Sequence, residues 1–285
     1  MFVIVGYIFL LACVFGSFSV HGNPLALWQP LEIVIILGAG LGAMIVGFGG
    51  NPLKALLKAL PSLFKGTAYP KVFYMDLFAL MYELLQKVRK EGLMSIEADV
   101  EEPHSSPLFS KYPTVSHDHH VIEFLTDYLR LMVGGNLNAF EIENLMDIEI
   151  ETHHHEAEIP AQAMAKLVDG LPAFGIVAAV MGVVNTMGSL HLPPAELGPM
   201  VGAALVGTFL GILMAYGIFG PLAVILERKA AESTQVFNTI KVTLLASLNG
   251  YAPQVAVEFG RKVLNSTERP GFNELEDFVK NAKNK

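Results

Sequence analysis

One cysteine, Cys13, and one tryptophan, Trp28, occur in the 285 residues. A lone cysteine excludes an internal disulfide framework. Charge is scarce too: 16% of residues are charged against 52% hydrophobic, a balance foreign to ordinary soluble domains. Lysine and arginine are missing altogether from 1–53 and again from 170–227, while ten lie in 54–169 and nine in 228–285. No glycine-rich phosphate loop, nucleophile elbow or recognisable pair of catalytic carboxylates occurs, so the chain does not read as an enzyme. The formal net charge of −8 argues against a nucleic-acid surface. It comes largely from 54–169, where 18 acidic residues face those ten basic ones.

What is present instead is apolar length. A membrane helix needs about 20 mainly apolar residues to cross roughly 30 Å of hydrocarbon. Four stretches qualify: 2–20, 31–50, 170–190 and 197–226, the last long enough to tilt or to continue past the bilayer. The first lacks the basic segment of a cleaved leader and reads as a retained span. Basic residues stay on the cytoplasmic side of a membrane. The 54–169 loop and the tail are therefore expected inside, the links 19–30 and 189–196 outside, and both termini cytoplasmic. The fold class that follows is an all-α integral membrane protein. Spans 1 and 2 lie in 1–53 and spans 3 and 4 in 170–227. A helical cytoplasmic part is built from the loop 54–169 and the tail 228–285.

That loop is too long for a structureless connection. Residues 69–92 carry Phe73, Leu77, Leu80, Leu84 and Val88 at helical spacing, with Gly92 as a stop. A second stripe runs through Val121, Phe124, Leu125, Tyr128, Leu129 and Met132. Residues 140–151 alternate acidic and apolar side chains and predict a third helix. The proline-punctuated stretch 101–120 between the first two reads as a loop. In the tail, 227–248 extends the fourth span, "NGYAP" breaks it, and "QVAVEFGRKVL" resumes until "ERPGF" ends it.

Within the spans, Gly38 and Gly42, Gly198 and Gly202, and Gly207 and Gly211 stand one helical turn apart. Such spacing lets helices approach closely in lipid. One such face is explained by packing within the chain; two favour a homo-oligomer. Pro172 stands at the entry of the third span, as a helix-start residue or as an interior kink. Pro221 lies inside a long apolar run, at a similar expected depth. Thr208, Tyr216, Asn185 and Thr186 put polar groups in apolar surroundings, where they usually face protein or water. No acid stands at mid-depth: Glu32 and Glu196 fall at outer ends, Asp169 and Glu227 at inner ends. This chain alone thus offers no titrating carboxylate halfway across. His117, His119 and His120, and again His153, His154 and His155, form two clusters. Glu151 with His155 has helical ligand spacing, but without cysteine or a second matched pair the default is solvated histidines, with no metal site.

The segments "LPAFGIVAAVMGVV", "AELG", "VGTFLGILMAYG" and "GPLA" resemble the MotA family of flagellar motor stator subunits. So do "VGYIFLLACVFGSF", "QPLEIVIILGAGLGAMIVG", "KALPSLF", "YMDLFALMYELL", "DYLRLM", "FEIENLMD", "LNGYAP" and "EFGRK". The resemblance covers nearly the whole chain. It implies an inner-membrane subunit of a complex that couples proton flow to torque, with no cofactor. Five copies would ring two MotB-type partner chains, each a single-span subunit whose aspartate carries the ion. Pro172 and Pro221 match the family prolines beside the ion site, and Thr208 a polar position facing it. Tyr216 belongs to the same stretch of the fourth span. Arg89 and Glu97 match charges that touch the rotor protein FliG, with Lys87, Lys90, Glu91 and Asp99 around them. Sodium-type relatives carry threonine where this chain has Ala178 or Ala179. Dehydrated sodium needs several oxygen ligands and a proton needs one acceptor, so alanine favours protons over sodium. The alternative within the wider group is an energiser of outer-membrane transport of the ExbB/TolQ type, which typically has three spans.

Overall fold

A long apolar segment can cross lipid as a helix because every backbone hydrogen bond closes within the segment, and helix is what the apolar runs form. The computed structural model describes residues 2–135 and 137–282, and among these there is no strand. In chain order, α1 is Phe2–Leu11, continued by a π-helical turn Ala12–Gly16 and by Ser17–Ser19. Then come α2 Pro30–Phe48, α3 Gly50–Ala59, α4 Lys71–Glu91 and α5 Glu97–Glu101. They are followed by α6 His119–Gly134, α7 Ala139–Gly188 and α8 Pro194–Ile212. A second π segment, Leu213–Phe219, leads into α9 Gly220–Leu248, and α10 Pro253–Val263 and α11 Phe272–Ala282 complete the chain. Three helical stretches, Pro24–Phe48, Ala139–Gly188 and Pro194–Leu248, are long and apolar enough to span a membrane; Val3–Ser19 is a shorter apolar helix.

Contacts divide the chain into two units, Met1–Gly66 with Glu158–Arg228, and Thr67–Ala157 with Lys229–Lys285. The first unit is a helical bundle whose buried residues include Ile36, Met44, Met164, Leu167, Leu171, Ala178 and Leu210. Much of its apolar surface stays open: Phe9, Val34, Val46, Val184 and Leu205 are each more than half exposed. That is the arrangement lipid permits and water does not. Two of its helices meet backbone to backbone. A Cβ on Gly175 would lie 2.9 Å from the Gly207 carbonyl oxygen and 3.0 Å from Gly211 Cα. One on Gly182 would lie 2.7 Å from Ala204 Cβ. These pairings make α7 and α8 antiparallel and assign Gly207 and Gly211 to packing within the chain. Gly38, Gly42, Gly198 and Gly202 have no neighbour within 4 Å of such a Cβ.

The second unit has an apolar core of its own. Phe78, Leu80 and Leu84 of α4, Leu125 and Leu129 of α6, and Val236 and Ile240 of α9 are all at most 1% exposed. The helix expected over 69–92 is α4. Gly92 closes it at φ +88°, a conformation L side chains rarely adopt.

Three expectations are corrected here. The helix expected at 140–151 does not end there: α7 continues to Gly188 with Pro160 and Pro172 inside it. No glycine interrupts 152–169, and Ala163, Met164, Leu167 and Leu171 bury along one face. Packing along that stripe outweighs the roughly 3 kcal/mol a proline costs a helix interior. Pro172 is therefore an interior residue, not a start. The break 101–120 carries two short helical turns, Pro107–Ser110 and Pro113–Ser116, each opened by its proline. The last helix, α11, lies beyond the expected stop, where Leu275 and Val279 bury one turn apart.

Candidate functional site

The α7–α8 seam gathers part of the expected site. A Cβ on Gly207 would lie 3.1 Å from the Ala179 backbone nitrogen and 3.2 Å from Ala178 Cβ. Ala178 and Ala179 thus meet the turn that carries Gly207 and Thr208. Ala178 is fully buried in this seam; Ala179 and Thr208 are half-buried. Among the described residues Thr208 makes no hydrogen bond. Thr186 is buried and donates back to the Gly182 carbonyl at 2.9 Å, whereas Asn185 is exposed.

The apolar helical stretch 194–248 does not simply kink at Pro221. Proline cannot donate to the carbonyl four residues earlier, and its ring crowds that carbonyl. The preceding turns widen into the π segment Leu213–Phe219, and α-helical geometry resumes at Gly220. Wide turns of this kind recur where helices do work. Tyr7 of α1 donates its hydroxyl to the Ile218 carbonyl at 2.7 Å, tying α1 to this segment. Sequence reasoning missed the π segment; Gly217 and Gly220 just ahead of Pro221 were the available signal. Tyr216 is 68% exposed and Pro221 is exposed, so neither is enclosed within this chain.

The two prolines are not level. The register fixed by Gly175–Gly211 and Gly182–Ala204 sets Pro172 opposite the start of the π segment. Pro221 stands about two helical turns further along, roughly 10 Å.

Glu32 also departs from expectation. It lies in the first turn of α2, yet its Oε2 would stand 3.2 Å from a Cβ on Gly207, far down α8 from Pro194. At about 1.5 Å per residue that is roughly 20 Å from the start of α8. Glu32 Oε2 is buried without a hydrogen-bond partner. The register between α2 and α8 that brings these residues together is invisible in a linear reading.

In the other unit, α4 and α5 meet at a corner. Gly92 turns the chain, a 3-10 turn Leu93–Ile96 follows, and Ile96 and Val100 anchor it in the core. Lys87 Nζ pairs with Asp99 Oδ2 at 2.7 Å, and Ser106 Oγ donates to Asp99 Oδ1 at 2.6 Å. Arg130 donates to Glu101 at 2.8 Å and to the Val100 carbonyl at 3.3 Å. These bonds fasten the corner, the Asp99 pair from within and the Arg130 pair at the surface. Arg89, Lys90, Glu91 and Glu97 are exposed on it and make no hydrogen bond or ion pair among the described residues. Of the charges grouped by the sequence, Lys87 and Asp99 build the mount and the other four are presented to solvent.

The histidines divide likewise. His153 is half-buried against Phe237, with ring centroids 4.4 Å apart, and its Nε2 lies 3.2 Å from Ser233 Oγ. Burial, reinforced by nearby His120, lowers its pKa. It is a packed residue rather than the solvated one expected. His155 and Glu151 form an exposed pair at 3.7 Å. No group of three or more metal-binding side chains converges among the described residues.

Known proteins share this architecture. The profile described as Motility protein A N-terminal matches residues 4–92, and that of the MotA/TolQ/ExbB proton channel family matches residues 117–239. Motility protein A of Escherichia coli (strain K12) is 54% identical over 285 residues, covering 100% of this chain and 97% of that protein. The structure of the flagellar MotAB stator complex from Bacillus subtilis aligns with a TM-score of 0.72 at 25% identity, covering 90% of this chain and 92% of the other. That of C. jejuni MotAB aligns with a TM-score of 0.76 at 20% identity, covering 92% and 95%, a likeness of fold.

Proposed function

The chain belongs to the MotA/TolQ/ExbB proton channel family, on its motility protein A side, and from that membership we propose how it works as a stator subunit of the flagellar motor. It is a membrane protein and not an enzyme. With a MotB-type partner it forms an ion-conducting complex in the inner membrane, and the ion is the proton. Both termini and the unit holding α4 to α6 face the cytoplasm, with four spans in the bilayer. Several copies, five in our reading, ring two partner helices whose aspartates take up the ion at mid-depth.

The observation that carries the mechanism is the π segment ahead of Pro221, which directly follows the part of α8 packed through close glycine contacts on the helix that bears Pro172 and Ala179. A widened turn has a nearby alternative in which the wide turn shifts or closes. Protonating a partner carboxylate beside it removes a charge, and the packing at Pro172 and Pro221 moves between the two arrangements. Each proton crossing supplies about 2.3 kcal/mol per 100 mV. Thr208 and the exposed Tyr216 line the face offered to the partner. The free charges Arg89, Lys90 and Glu97 take hold of a rotor protein, FliG in our reading, because they are exposed and spend no attraction within the chain.

Deleting the gene leaves assembled but paralysed flagella, and normal swimming of the deletion strain would sink the stator role. Swimming speed collapses with a protonophore and ignores sodium; speed that tracked sodium would overturn the choice of ion.

A further inference from the structure

The first basic residues of the chain fall just after an apolar helix long enough to span a membrane. That helix, α2, ends at Phe48; Gly49 breaks it at φ +74°, and α3 begins at Gly50. Lys54 and Lys58 lie on α3, and Lys65 follows the 3-10 turn Leu60–Phe64 that continues it. Between Glu32 and Asp76 the chain holds no acidic residue. The three lysines are exposed, and among the described residues none of them makes a hydrogen bond or an ion pair. Lys71, the next along, differs: it pairs with Glu274 at 2.7 Å. Lys54 and Lys58 stand one helical turn apart on the same face, about 6 Å along the axis. Leu56 and Leu63 of the segment are buried in the core of the first unit. Leu57 and Phe64 are not: they are 57% and 61% exposed, and each directly precedes a lysine.

Three unpaired positive charges around two open apolar side chains match one kind of surface. Water solvates the lysines but not Leu57 and Phe64. An apolar neighbour takes Leu57 and Phe64 but strands the lysines. The headgroup boundary of an anionic leaflet takes both, phosphate groups meeting the ammonium groups while the apolar side chains enter the acyl layer. Sorting of the loop to the inner side asks only that the lysines be present. It does not ask that they gather about exposed apolar residues on a helix packed against the bundle. We propose that α3 and the turn after it form a binding site for anionic phospholipid of the cytoplasmic leaflet. Lys54, Lys58 and Lys65 hold the phosphate groups, and Leu57 and Phe64 anchor the segment beneath them. The side of the membrane is taken from the stator reading; the ion path and the rotor contact play no part.

The test uses the complete complex with its partner, carrying Trp28→Phe and Leu57→Trp so that a single reporter tryptophan sits at the site. It is reconstituted in phosphatidylcholine vesicles containing a minority of phosphatidylglycerol, with bromine on the acyl chains of one lipid or the other to quench the reporter. A lysine near an anionic surface is worth about fivefold in partitioning. Brominated phosphatidylglycerol should therefore quench at least about fivefold more effectively, molecule for molecule, than brominated phosphatidylcholine. Changing Lys54, Lys58 and Lys65 together to glutamine should bring that preference near unity, and changing them to arginine should keep it. Equal quenching by the two lipids, or a preference that survives the triple glutamine change, overturns the proposal. Quenching by neither lipid shows that protein covers the site, as a second copy of the chain would, and overturns it too. Should the triple glutamine variant fail to insert, salt decides with the lysines in place: a preference that molar salt abolishes supports the site, and one that salt leaves intact overturns it. None of these readouts uses motility, so the swimming of a deletion strain judges the stator role separately.

Discussion

The α7–α8 seam makes a quantitative demand on Gly211. A Cβ there would stand 2.8 Å from the Leu171 carbonyl oxygen and 2.9 Å from Gly175 Cα. Ordinary carbon–carbon contact is about 3.5–4.0 Å, so the overlap approaches an ångström. Both obstacles are backbone and cannot rotate away, so the helices must part. Overpacking of this kind costs about 1–3 kcal/mol, and replacing a mid-helix glycine by alanine returns about 0.5–1 kcal/mol. Gly211→Ala should therefore destabilise the protein by a net of roughly 1–2 kcal/mol. At about 2–4 °C per kcal/mol, the apparent melting temperature of the purified complex falls by several degrees. Gly38→Ala is the matched control, because nothing lies within 4 Å of its Cβ in this chain. It should be neutral or slightly stabilising unless another copy packs there, in which case assembly weakens while Gly211→Ala still melts early. Gly211→Ala melting at or above wild type would refute the close seam and the register built on it.

Asp99→Ala leaves Lys87 and the buried Ser106 hydroxyl without their acceptor. Because Lys87 is about one-third exposed and can turn to water, the loss should be about 1–3 kcal/mol, read as faster hydrogen exchange across 93–106 together with weaker swimming. Arg89→Glu and Glu97→Lys should stay within about 0.5 kcal/mol of wild-type stability yet reduce torque, and a melting shift beyond that would show that these charges are not free. Pro221→Ala restores a backbone donor to the Gly217 carbonyl, so the π segment relaxes towards α-helix; tethered-cell rotation should drop while membrane insertion persists. His153 has a folded pKa below its ordinary value, so the unfolded chain binds its proton first as pH falls. Its unit is unaffected above the ordinary histidine pKa of about 6.5 and loses stability as pH drops below it. His153→Gln should flatten that loss in pH-dependent melting.

The sequence by itself settled what depends on composition and periodicity. Two stretches free of lysine and arginine, each holding apolar runs about 20 residues long, dictate helices in lipid whatever surrounds them. The stripes Phe73 to Val88 and Val121 to Met132 dictate the buried faces of α4 and α6, because helical spacing is local. Arg89 and Glu97 were singled out only through the family resemblance, since an exposed charge with no partner looks like any other. What the linear chain cannot contain is the offset between helices distant in sequence. Whether Pro172 begins a helix or lies within one was decided by the packing of Met164, Leu167 and Leu171. That Gly207 and Gly211 serve a seam inside the chain, while Gly38 and Gly42 do not, depends on which backbones approach within about 3 Å. The same offset sets the Oε2 of Glu32, in the first turn of α2, beside Gly207. Only the tertiary structure could set that pairing, because the register between two helices belongs to their packing rather than to either segment.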